Sequence, residues 1–193
     1  MFESLDAVRG DAWERLSLAA SDRKSAMHTP VVATADVDTR VMVLRAFDPD
    51  TGTLRFHTDA RAPKVEVIER DPRLAVLFYD KAAKVQIRVK GEGRILRDGT
   101  ITENAWGKSD NFARRCYLGD GPGTFSDRPS SGLPEQFEGV EPNDEEVAVG
   151  RGNFAVLLVE IHHVDWFYLA HTGHIRAQFD KSGSNWIGRW VTP

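Results

Sequence analysis

Four basic side chains between positions 40 and 64, namely Arg40, Arg45, Arg61 and Lys64, form the part of this sequence best suited to chemistry. They fall near the ends of apolar runs or at the start of a short helical segment. There a guanidinium can grip a phosphate bidentately and an ammonium can add a point charge. Pro63 opens the helical segment, where its missing N–H is not needed. The N-terminus of that helix adds free N–H groups and the positive end of its dipole. Together these groups would hold a phosphate dianion. The competing reading is that scattered Arg and Lys merely solvate strand ends, and composition alone favours it.

Other chemistries find less support. The sequence has no G-x-G-x-x-G and no G-x-x-x-x-G-K-[ST], so neither a dinucleotide fold nor a P-loop is indicated. It has no G-x-S-x-G nucleophile elbow. Cys116 lies beside Arg114 and Arg115, which could lower its pKa, but has no base partner defined by sequence. His162, His163, His171 and His174 cluster with Glu160 and Asp165, yet the spacing fits no zinc template. Neighbours on a strand point to opposite faces, so His162 and His163 are not expected to share a metal.

Stepping along the chain gives the elements that would position these groups. Residues 2–24 read as an amphipathic helix with Leu5, Val8, Trp13, Leu16 and Ala20 on one face, and Gly10 as a possible interruption. Pro30 opens a strand that turns at 36–39. The run 41–44 is continuously apolar, as in a strand covered on both faces. Asp48-Pro49-Asp50-Thr51-Gly52 is a turn signal, and alternation follows in Leu54, Arg55, Phe56 and His57, so 40–58 reads as a hairpin. A short helix over 63–70 and strands at 74–79 and 84–95 come next, with Gly91 and Gly93 permitting a bulge. Residues 99–118 look helical, with Trp106, Phe112 and Tyr117 as candidate buried aromatics. The acidic, Pro/Gly-rich stretch 119–150 reads as a surface loop or as a lid. Strands follow at 153–162, 164–169 and 174–179. Six or more strands with three short helices argue for a mainly β, barrel-centred fold with flanking helices.

The totals narrow the class. At 193 residues the chain suits one domain, spanning 1–193 with a barrel core over 30–96. A net charge of −4 gives no reason to expect nucleic acid. No run approaches a membrane span. One cysteine excludes an internal disulfide framework. The opening MFESLDAVRGDAWERL lacks the apolar core of a signal peptide, so a cytoplasmic location is expected.

One series of motifs goes further. In order stand Arg40-Val41-Met42-Val43-Leu44-Arg45, Phe56-His57-Thr58, Ala62-Pro63-Lys64, Asp71-Pro72-Arg73, an apolar strand, and Val85-Gln86-Ile87-Arg88-Val89-Lys90-Gly91. This order and spacing resembles the pyridoxamine 5′-phosphate oxidase-like flavoproteins, which bind FMN on a split β-barrel. The resemblance covers 40–91 closely and the later chain loosely, with Trp166 near the family's tryptophan and His174-Ile175-Arg176 near its R-L-H.

The resemblance implies roles. Arg40 and Lys64 would grip the FMN phosphate. Backbone of Val41, Met42, Val43 and Leu44 would run beside the flavin ring, with Arg45 replacing a lysine. His57 and Thr58 would line the ribityl path and Gln86 would bond the ring's polar edge. Trp166 and Gln178 would close the site from the second subunit of a homodimer. Arg114, Ser130 or Ser131, His174 and Arg176 would match the substrate-phosphate clamp. Ala62 and Pro63 depart from the family's serine and arginine, and the clamp is blurred. FMN binding is therefore better supported than oxidation of pyridoxamine phosphate, which is expected to be weak or absent. The implied function is an FMN-dependent oxidoreductase acting on a small molecule. A non-catalytic flavin-binding or sensing module and a cofactor-free binding barrel are the alternatives.

Overall fold

The computed structural model describes residues 2–193. A single helix, α1 (Leu5–Ser21), begins where the Ser4 side chain accepts the Ala7 N–H. Its buried residues Val8, Ala12, Leu16 and Ala19 recur at helical spacing and seat it on the sheet. Gly10 does not interrupt it. That position faces open space, and one glycine costs about 1 kcal/mol, too little to break a capped helix with a buried face.

Among the described residues, nine antiparallel strands form one curled sheet, a half-barrel with helices at its flanks. They are β1 (Val31–Thr34), β2 (Thr39–Val41), β3 (Leu44–Asp48), β4 (Thr53–Asp59), β5 (Arg73–Asp80), β6 (Val85–Leu96), β7 (Phe154–Tyr168), β8 (Ile175–Ser182) and β9 (Asn185–Trp190). The order is β2-β1-β5-β6-β7-β4-β3, with β8 and β9 continuing from β7. The helix expected over 63–70 is α2 (Pro63–Arg70).

Several expectations need correction. The run 41–44 is not one strand: β2 ends at Val41 and pairs with β1, whereas β3 starts at Leu44 and pairs with β4. Met42 N–H turns to Pro30 O and Leu44 N–H to His28 O, so the chain leaves one ladder before joining the next. The hairpin is therefore β3–β4 alone. The helical stretch 99–118 is broken into α3 (Thr100–Gly107), α4 (Asn111–Arg114) and a 3-10 turn at Arg115–Tyr117. Phe112 is exposed, with the Arg115 guanidinium 4.0 Å over its ring. The acidic stretch holds α5 (Asp144–Ala148), closed by a capping box between Asn143 and Glu146.

β7 is the longest strand and the axis of the sheet. Along one edge it pairs with β6 throughout. Along the other, 154–160 pairs with β4 and 163–168 pairs with β8. The change of partner coincides with a bulge, where Lys90 faces His163 but Gly91 faces Ile161. The bulge places the side chains of both His162 and His163 against outer-face residues such as Ala33 and Ala75. Strict alternation fails there because the bulge inserts a residue.

Gly91 permits this geometry. A Cβ at that position would lie 2.0 Å from Glu160 O, a backbone atom that cannot step aside. Gly91→Ala is expected to lower stability by about 3 kcal/mol, the upper range for overpacking, read as a lower urea midpoint. Gly10→Ala, in open space, is expected to raise it by up to about 1 kcal/mol.

Candidate functional site

Two adjoining cavities lie on the outer face of the β3–β4 hairpin. The smaller, of about 320 Å³, is lined by Arg40, Val41, Met42, Val43, Arg45, His57, Thr58 and Lys64, together with Asp59, Cys116, Tyr117 and Pro122. Eight residues expected at a cofactor site thus meet in one place. The larger, of about 860 Å³, shares Val43, Arg45 and His57 with it and extends to Arg55, Arg23 and Lys108. The two form a continuous groove along the break between β2 and β3.

At the narrow end sit two cations. Lys64 is the second residue of α2. Burial first, and then the charge of Arg40, push its pKa below the usual lysine range. Arg40 is more occupied. It donates to Thr34 Oγ1 at 2.9 Å and pairs with the Asp38 carboxylate. The first turn of α2 offers fewer amides than expected, since Pro63 has none and Val65 N–H goes to Ala62 O. Arg61 is spent on Asp59, through contacts of 3.0 and 2.7 Å.

At the wide end the hairpin alternates. Leu54 and Phe56 fill the core, while Arg55 and His57 face the groove. His57 packs edge-on to Phe154, with ring centroids 5.0 Å apart. Burial, then the charges of Arg45 and Arg55, push its pKa down to about 4, so the imidazole is neutral at pH 7. His28 Nδ1 lies 2.7 Å from Ala19 O and must donate to it, because a carbonyl only accepts.

The remaining expected residues lie elsewhere. Leu44 is fully buried in the core, so only its backbone can face a ligand. Trp166, expected to reach across to a second subunit, is fully buried in its own chain, where its indole N–H donates to Asp11 on α1 at 2.7 Å. Gln86 shares the outer face of β6 with Arg88, away from the groove. Gln178 and Arg176 are held by the buried Asp165 carboxylate, which also receives Arg88. Burial works to raise the pKa of Asp165, but these donors win and hold it below the usual range.

Within one chain the residues expected to form a substrate clamp do not come together. Arg114 donates to Trp106 O, Gly107 O and Asn111 Oδ1, which pins α3 to α4. Ser130 and Ser131 bond within their own loop, to Gly132 N–H and the Glu138 carboxylate. His174 packs against Phe167. None of these four lines either cavity of the groove.

Sequence reasoning passed over Arg55, Arg23 and Lys108. Alternation already put Arg55 on the same face as His57. Its closeness to Arg45 depends on the irregular β3–β4 register after Leu44. Arg23 and Lys108 come from distant segments and carry no local signal.

Known proteins bear on this geometry. Residues 11–97 match the family model described as pyridoxamine 5′-phosphate oxidase, FMN-binding domain. Among solved structures, a pyridoxamine 5′-phosphate oxidase-related, FMN binding protein from Nostoc punctiforme PCC 73102 is 22% identical, with a TM-score of 0.75 over 98% of this chain and 100% of its own. PhzG from Burkholderia lata 383, in complex with tetrahydrophenazine-1-carboxylic acid, is 14% identical, with a TM-score of 0.66 over 97% of this chain and 92% of its own. A Clostridium acetobutylicum protein related to general stress protein 26 is 12% identical, with a TM-score of 0.55 over 89% of this chain and 94% of its own. At these identities the likeness establishes the split-barrel fold. No curated protein matches the chain.

His57 yields a pH prediction. The unfolded imidazole takes its proton near pH 6.5 and the folded one only near 4. Between these values the unfolded chain binds more protons, so stability rises with pH through that window and is lost as pH falls through it. The span is worth about 3 kcal/mol at most. Urea unfolding from about pH 4 to about pH 7 should show this slope in the wild type and a flatter one in His57→Gln.

Proposed function

We propose, from a chain whose residues 11–97 match a pyridoxamine 5′-phosphate oxidase FMN-binding domain, that this protein is an FMN flavoprotein and an oxidoreductase acting on a small molecule. One observation carries the reading. Lys64 is a largely buried ammonium at a helix start, beside a second cation, in the smaller cavity of the groove. It has no ion-pair partner among the described residues. A phosphate dianion there would relieve the repulsion between Lys64 and Arg40. Thr58 and His57 would line the path toward the ring, and Val43, outside every strand pairing, would leave its backbone free for the ring edge. Bound FMN supplies the redox chemistry, which is why the chain needs no acid–base pair of its own.

The same reading takes the chain 1–193 as one domain, supported by a single sheet that runs from β1 to β9. It keeps the cytoplasm as location, where an exposed unpaired thiol such as Cys116 is stable; no helix among the described residues is long and apolar enough to cross a membrane. It also takes the protein as a homodimer. Val41, Leu77 and Tyr79 are exposed on the outer face, beside a cavity of about 420 Å³ where Val31, Ala33 and Ala75 meet the charged groups of Arg88, Asp165 and Arg176. A second subunit would cover this face. Light scattering of the purified protein should give twice the chain mass, and a monomer carrying a full complement of flavin would remove the shared-site reading.

A non-catalytic flavin-binding or sensing module remains a second reading. It is favoured by the thin phosphate cradle, in which Ala62 provides no side-chain cap and Pro63 no N–H. An anaerobic screen separates the two. Bleaching of the flavin by a small-molecule donor identifies an enzyme, and a flavin that no donor reduces identifies the module. Protein that stays colourless with added FMN would support the cofactor-free barrel instead.

Lys64→Ala is expected to weaken FMN binding by about 10- to 100-fold, the worth of one charge-assisted hydrogen bond. Arg40→Ala should cost less, because Arg40 already serves Asp38 and Thr34. Fluorescence titration of apoprotein with FMN checks both. Wild-type affinity in Lys64→Ala would move the phosphate elsewhere.

A further inference from the structure

The outer face of the β3–β4 hairpin carries positive charge that the fold does not neutralise. Arg45 and Arg55 sit side by side on neighbouring strands, and neither has an ion-pair partner among the described residues. Nε of each is shut off from solvent without an acceptor, as is His57 Nε2. Buried donors left in this state are destabilising. Burial, then the charge of Arg45, pushes the Arg55 pKa below its usual value. The chain holds two guanidinium groups in mutual repulsion with their donors idle.

Arg45, Arg55 and His57 all line the larger cavity, of about 860 Å³, which is within the size range of small-molecule sites. Arg23 and Lys108 add positive charge from the opposite wall. Asp110 and Glu141 are the acids of this wall, and neither pairs with these cations; Asp110 instead accepts Ala113 N–H as the cap of α4. Val43, Ala105 and Phe112 supply an apolar surface beside the charged one. Anion recognition needs such a combination, with a planar fork for two oxygens and an apolar wall for the body that carries them.

We propose that this cavity is the substrate compartment and that it selects an organic anion, a carboxylate or phosphate on an apolar body, with Arg55 and Arg45 as the recognising pair. The proposal rests on reading the adjoining groove as the flavin site, since Val43, Arg45 and His57 border both. Arg55 has no counterpart in the motifs that point to the cofactor, and so it separates substrate recognition from flavin binding. The bound anion would accept from the terminal Nη groups of Arg45 and Arg55, at the ends of the side chains that line the cavity.

The test uses full-length protein, with and without FMN, titrated calorimetrically with benzoate, phenyl phosphate and benzyl alcohol. Wild type is expected to bind one of the two anions at least about tenfold more tightly than the neutral alcohol, which places the interaction at 1.4 kcal/mol or more. Whichever anion wins identifies the headgroup. Arg55→Gln is expected to lower that affinity at least about tenfold, keep FMN affinity within about twofold, and hold or raise the unfolding midpoint, because one of two repelling charges is gone. If the Gln variant folds poorly, Arg55→Lys asks the same question by keeping the charge and losing the fork, and it should bind the anion more weakly than wild type. The proposal is overturned if neither anion outbinds the alcohol, if the Arg55 variants bind as wild type does, or if Arg55→Gln loses FMN, which would make Arg55 a cofactor ligand. Anion binding that depends on Arg55 in a protein unable to take FMN would refute the flavin reading and leave the anion pair standing.

Discussion

The close approach of Gly91 to the Glu160 carbonyl is the constraint on which the architecture depends. It allows β6 and β7 to slip by one residue without losing their ladder. β7 exchanges β4 for β8 along its other edge at the same level. A sheet that changes partner midway cannot stay flat, and the right-handed twist of strands turns the change into a curl. The curl gives the sheet two working outer surfaces. One lies over β3 and β4 and carries the groove. The other lies over β5, β6 and β8 and carries exposed apolar side chains.

Charge is treated differently on the two surfaces. Over β6–β8, Arg88, Arg176 and Gln178 all converge on the single buried carboxylate of Asp165. Such a hub is self-contained, and removing its carboxylate would strand its partners. Arg15, Arg61, Arg73, Arg97 and Arg151 likewise have acidic partners nearby. Over β3–β4, Arg45, Arg55 and Lys64 have no acidic partner among the described residues. Partly buried cations left without an acidic partner carry a local cost, and costs of this kind concentrate at binding sites.

The segment joining β2 to β3 connects the two themes. An ordinary hairpin would have kept 41–44 in a ladder with its polar groups consumed. Met42 and Leu44 instead bond to Pro30 and His28, outside regular pairing, and the intervening Val43 borders both cavities. This irregular crossing brings the cation pair of Arg40 and Lys64 within one groove of the pair of Arg45 and Arg55.

Much of this was legible in the sequence, for local reasons. Alternation at 54–57 and 85–90, Pro63 at a helix start, the turn at 48–52 and the glycines of β6 act over a few residues and could be read directly. Eight residues picked out by the ordered motifs of 40–91 line one cavity. The sequence could not show what each side chain had already been given to do. Trp166 looked available and is core, since only the packing of α1 brings Asp11 to its indole. Arg114, Arg176 and Gln178 looked like ligands and are spent on neighbours reached through loops and cross-strand register. Arg55 entered only through the alternation of 54–57, and a bulge brought it against Arg45. Residue type and period set the face on which a side chain emerges. Whether its charge is already answered is a property of contacts distant in sequence, and only the tertiary structure decides that.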